Sequence, residues 1–206
     1  MDVATMIADV RSRIDEDVEG YWTDVMLTRW LNEGARDVAY RLENLEDTET
    51  TATANSTEYY ALPTDLLKIK RVQWDSIPLS WVNFPTLDKA ESTGTPSTGV
   101  DGTPRNFYTW GDSIYLYPAP NAIKNLIVTY YKRPATLVNT TDTSEHPQEL
   151  HPLIVIYAVG KALTRDEMYS EANWYDTLYR EGIKEARTHY NPRYRCGVSQ
   201  IRLDDS

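Results

Sequence analysis

Apolar residues near the start of the chain recur at helical spacing. Val3, Ile7, Val10 and Ile14 stand four, three and four positions apart, which lays them along one face of a helix. Gly20 interrupts the pattern, and Thr23 or Asp24 can cap a second helix. Leu27, Leu31, Ala35, Val38 and Leu42 then carry the stripe on, with Trp30 beside it. The period returns late in the chain. Leu150, Leu153, Ile154 and Tyr157 mark a third helix, and Ala172, Tyr175, Tyr179, Ile183, Ala186 and Tyr190 a fourth.

Between these helical stretches the alternation is that of strands. Ser113 to Tyr117 sets Ile114 and Leu116 against Tyr115 and Tyr117, and Asn125 to Tyr131 sets Leu126, Val128 and Tyr130 against Ile127, Thr129 and Tyr131. Both faces are apolar or aromatic, so each sheet needs a cover on either side: a second sheet, a helix or a neighbouring subunit. Trp110-Gly111-Asp112-Ser113 places glycine first in a two-residue turn, predicting a hairpin of Asn106–Trp110 with Ser113–Tyr117. A second hairpin is predicted around Asp75-Ser76. Thr48 to Thr57, Glu91 to Thr103 and Asn139 to Glu145 have no apolar period and read as loops or linkers.

Proline placement agrees with this division: none before Pro63, ten from Pro63 to Pro152, and Pro192 alone after them. The pattern predicts an α+β fold. An antiparallel bundle of about four helices, from residues 1–47 and 148–190, carries an inserted β-sandwich-like or β-sheet domain at 58–134. An extended C-terminal tail occupies 191–206.

The length, 206 residues, allows one domain or two small ones, and 41% hydrophobic with 25% charged residues is ordinary globular composition. One cysteine, Cys196, excludes an intramolecular disulfide and fits a reducing compartment. Lys and Arg number 21 against 31 Asp and Glu, a net charge of −10, which argues against binding duplex nonspecifically through its phosphates. The opening Met1-Asp2-Val3-Ala4-Thr5 has no signal-peptide character, and no run approaches about 20 apolar residues. The expectation is a soluble, cytosolic chain without a membrane segment.

Charge is unevenly distributed. Residues 1–57 hold 5 basic and 13 acidic residues, whereas Arg187 to Leu203 has Arg187, Arg193, Arg195 and Arg202 and no acid. Aromatic use is also skewed, with 15 Tyr and 6 Trp against 2 Phe. Tyrosine serves both strands and interfaces, because the ring buries while the hydroxyl stays hydrogen-bonded.

Catalytic patterns fail on spacing. His146, Glu149 and His151 place two histidines five apart around Pro147, where a helical zinc pair wants four, and the same residues suit a helix start. Gly94 to Gly99 has the glycine spacing of a phosphate loop, but Val100 and Asp101 replace its lysine and hydroxyl residue. Cys196 has only His189 nearby as a base. The acidic runs Asp15-Glu16-Asp17 and Glu46-Asp47 read as solvated faces. Asn55-Ser56-Thr57 and Asn139-Thr140-Thr141 match glycosylation acceptors, which mean little without export. These residues predict no enzyme activity, no cofactor and no metal.

The order of several strings resembles the head-tail adaptor (connector) proteins of tailed bacteriophages. They are Trp30-Leu31-Asn32-Glu33-Gly34-Ala35, Tyr59-Tyr60-Ala61-Leu62-Pro63-Thr64-Asp65, Arg71-Val72, Gly102-Thr103-Pro104-Arg105-Asn106-Phe107-Tyr108, Leu116-Tyr117-Pro118-Ala119-Pro120 and Tyr130-Tyr131-Lys132-Arg133-Pro134. The resemblance implies a structural virion protein of the phage neck, assembled in the host cytoplasm. It implies a homo-oligomeric ring of twelve subunits below the portal protein, joined to the next tail component (nozzle, stopper or tail tube), with DNA passing through the lumen unbound. It further implies that the C-terminal segment docks on the portal. The residues for that contact are Tyr190, Arg193, Tyr194, Arg195, Ile201, Arg202 and Leu203.

Two other readings stand beside this one. The first is a tail-completion or tail-tube component that never meets the portal. The second is a carbohydrate- or peptide-binding β module that stacks ligands on Trp74, Trp81, Tyr108 and Trp110.

Overall fold

The computed structural model describes residues 1–16, 20–83 and 101–190. They fall into two compact units, one from Met1–Leu45 with the chain from Arg133 on, the other Glu46–Lys132. The fold is α+β.

In the first unit, α1 (Val3–Arg13) begins where the Asp2 carboxylate accepts the Thr5 N–H at 2.9 Å. Thr23 does the same for α2 (Asp24–Leu42), its hydroxyl oxygen accepting from Met26 N–H at 3.4 Å. All five stripe residues of α2 are buried. A short 3₁₀ turn, Gln148–Leu150, with Pro147 at its cap, leads into α3 (His151–Arg165), and α4 (Tyr169–Tyr190) follows. The α-helix proper therefore starts at His151, one residue after Leu150, where its period begins. Leu153, Ile154, Val155, Ile156, Ala158 and Val159 of α3 are all buried. A helix apolar on nearly every side belongs inside, and α1, α2 and α4 each pack on α3.

The turn between α1 and α2 is built on Arg11, which is 5% exposed. Its guanidinium donates to the Glu16 carboxylate at 3.1 Å, to Asp24 at 2.7 Å and to the Trp22 carbonyl at 2.7 Å. Glu16 also accepts the Trp22 backbone N–H at 3.3 Å. Glu16 thus departs from the solvated face expected of it: a buried guanidinium and free N–H groups draw the carboxylate inward.

The β unit has a four-stranded sheet ordered β1 (Glu46–Ala52), β10 (Asn125–Lys132), β3 (Leu66–Trp74) and β4 (Ile77–Pro78). A second sheet is ordered β2 (Tyr59–Ala61), β8 (Ser113–Tyr117), β7 (Asn106–Trp110) and β5 (Ser80–Trp81). A parallel pair, β6 (Asp101–Gly102) with β9 (Ala119–Pro120), completes it. One core takes Val72, Trp74, Leu126, Val128 and Tyr130 from the first sheet and Tyr60, Phe107, Ile114 and Leu116 from the second. Both hairpins are present. Gly111 alone has positive φ in the β7–β8 turn, whereas Asp75 and Ser76 both do between β3 and β4.

Two stretches read as loops contain strands. Glu46–Ala52 is an exposed edge strand held by the backbone ladder to β10 and by ion pairs of Glu46 with Lys70 at 2.7 Å and Asp47 with Lys132 at 3.7 Å. An edge held by such contacts has no apolar period to announce it. Asp101–Gly102, at the end of the second stretch, is too short for one.

Candidate docking surfaces

Of the residues expected to meet a portal, Tyr190 alone lies among those described. Arg193, Tyr194, Arg195, Ile201, Arg202 and Leu203 fall outside them, as do Cys196 and Gly94 to Gly99. Tyr190 ends α4 half-buried against the helical core. Burial, and next the Glu149 carboxylate, push its phenol above the ordinary tyrosine range. Beside it runs an open groove of 400 Å³ whose lining includes Glu149, Leu150, Leu153, Gly182, Glu185 and Ala186. Gly182 and Leu153 pack closely on this wall: a Cβ at Gly182 would meet Leu153 Cδ2, so a larger residue there needs the leucine side chain to shift.

The four proposed stacking residues do not form one platform. Trp74 is 1% exposed, and its indole N–H donates to the Thr53 hydroxyl at 3.1 Å, so it is core. Residue type misleads here, because a tryptophan serves a sheet's core as readily as its surface. Tyr108 and Trp110 share the outward face of the second sheet, while Trp81 is in register with inward-facing Phe107. The outward face instead carries a tyrosine row: Tyr108 stacks on Tyr115 at 4.9 Å, and Tyr59 lies 5.8 Å from Tyr115. Trp110 stands 63% exposed on the same face. Tyr59 and Tyr115 escaped the sequence reading as members of a surface, although pairing about Gly111-Asp112 sets Tyr115 opposite Tyr108.

The buried histidines bind the helical unit together. His146 Nε2 donates to the Ala35 carbonyl and His151 Nε2 to the His146 carbonyl, each at 2.9 Å. His146 Nδ1 accepts from the Asn44 amide at 3.1 Å, and His151 Nδ1 faces the Met1 amine at 2.9 Å. Among the described residues no three metal-ligating side chains converge. Burial is the largest influence on both imidazoles and pulls them below the ordinary value of 6.5, outweighing the carbonyl contacts that push the other way.

The folded state therefore resists protons that the unfolded chain takes up below pH 6.5. This stability is complete above that pH and is lost as pH falls through the lowered native values. The urea midpoint is expected to drop between pH 7.5 and 5.5, and His146→Gln should flatten that dependence. An identical slope in the variant would show that His146 does not carry it. Asp2 and Asp142, pulled down chiefly by hydrogen bonds from Thr5 and from the Asn139 and Val138 N–H groups, titrate below this window.

No described helix is long and apolar enough to cross a membrane. A family model described as SU10 adaptor protein matches residues 1–199. No curated protein matches the chain.

Proposed function

The chain belongs to the SU10 adaptor protein family of phage head–tail adaptors, and on that premise we propose that it forms a ring, of twelve subunits, below the portal and joins the capsid vertex to the tail. The observation that carries this reading is the family match across nearly the whole chain. In this role the protein is structural and catalyses nothing. Its other partners are the next tail component and the DNA that passes through the ring.

Two physical features support the proposal. A chain of net charge −10 repels a passing duplex and leaves it mobile. The outward face with exposed Tyr59 and Trp110 and half-buried Tyr115 supplies aromatic area of the kind that subunit interfaces use. Residues 191–206 are the docking arm in this reading, with Tyr190 at its root.

Deleting Asn191–Ser206 is expected to leave the helical circular-dichroism signal unchanged and to abolish capture by immobilised portal protein. Arg193→Glu with Arg195→Glu should weaken capture, because the arm meets an acidic surface. Full capture by the truncated chain would reject the docking arm.

A further inference from the structure

We infer that the Glu149–Glu185 groove is the resting site of the chain's own C-terminal arm, residues 191–203, in the protein not yet bound to a portal. The inference deepens the docking-arm reading, and its consequence for assembly rests on that reading.

Three observations lead to it. The groove is apolar along its floor, at Leu150, Leu153 and Ala186, and acidic at its rim, at Glu149 and Glu185. Both carboxylates are exposed, and neither belongs to an ion pair among the described residues. The arm also leaves the helix at the groove itself, since His189 and Tyr190 line it and Asn191 comes next.

The arm's composition is complementary to this site. Arg193, Arg195 and Arg202 come without a single acid before Asp204, and Val198, Ile201 and Leu203 supply apolar side chains. Arg193 and Arg195 lie three and five residues past Tyr190, within about 10 and 17 Å for extended chain, so both reach the rim. A tether this short gives an effective concentration on the order of millimolar, at which even weak complementarity holds the arm. Arg193 and Arg195 cannot pair with the rim and with a portal at once. The portal's apparent affinity is thus lowered by the fraction of arms at rest, and binding of the portal is coupled to their release.

Cys196, the chain's only cysteine, lies within the arm and accepts a nitroxide label in the full-length protein. The label is expected to be immobilised in the wild type at every protein concentration, and mobile in the Glu149→Lys, Glu185→Lys double variant. Trypsin cleavage at Arg193 and Arg195 should accelerate about tenfold or more in that variant while its thermal melt stays put. Raising the salt from about 0.05 to 0.5 M should free the label in the wild type, because the rim pairs are solvent-exposed. A label equally mobile in both proteins, or equally immobile in both, overturns the inference. Immobilisation that vanishes on dilution assigns the arm to another copy's groove and overturns it too. Portal capture is read separately: its failure in a chain whose arm is shown at rest would reject portal docking and leave the groove contact standing.

Discussion

Arg11→Ala is expected to lower the unfolding free energy by about 3 kcal/mol, the low end for removing one partner of a buried ion pair. The reasoning begins with burial. Arg11 is 5% exposed and serves two carboxylates and a carbonyl at once, so its removal strands acceptors that water reaches poorly. The low end applies because the Asp24 side chain is 47% exposed and can rehydrate. Glu16 keeps its backbone donors, so the damage centres on the Trp22 carbonyl and on the packing of Trp22 against Trp30, ring centroids 5.3 Å apart. Arg11→Lys should recover only part of the loss, since one ammonium cannot span three acceptors in a planar fork. Urea unfolding followed by tryptophan fluorescence measures both variants. A loss below about 0.5 kcal/mol for the alanine variant would show that this turn does not depend on the guanidinium.

Asn32→Leu should cost about 2–6 kcal/mol, by stranding two buried backbone groups at about 1–3 kcal/mol each. Asn32, on α2, is 7% exposed and pairs with Leu137 in both directions: its amide donates to the Leu137 carbonyl and its carbonyl accepts the Leu137 N–H, each at 2.8 Å. The amide also reaches the Thr28 carbonyl at 3.0 Å. This pairing pins the chain entering α3 to the middle of α2. Leucine keeps asparagine's branching and number of side-chain heavy atoms but returns neither bond, so hydrogen exchange at the Leu137 amide should rise with the loss of stability. Unchanged protection there would mean that the segment is held by other contacts.

Asn32 sits inside Trp30-Leu31-Asn32-Glu33-Gly34-Ala35, one of the strings that carry the family resemblance, and its structural role was not readable from that string. A periodic stripe declares which side of α2 is apolar, but the partner of a buried amide lies 105 residues away. The helical faces and both hairpins are local properties of sequence, and local reasoning reaches them. Glu46–Ala52 is different: its Glu, Asp, Thr pattern becomes a strand because β10 offers a ladder and Lys70 and Lys132 offer charge, none of which lies nearby in sequence. Trp74 stands among the stacking residues of the alternative β-module reading for the opposite reason, since residue type alone cannot tell which face of β3 a tryptophan occupies. The tyrosine row was within reach. Counting outward from Gly111-Asp112 sets Tyr108 beside Tyr115, and the register confirms that pairing.

The claim that this chain is a ring-forming adaptor meets its most direct test in native mass spectrometry and electron-microscope class averages of the full-length protein, alone and mixed with its portal. Closed rings, or a stable complex with the portal bearing twelve copies, is the predicted result. A monomer that leaves the portal bare would contradict the adaptor ring.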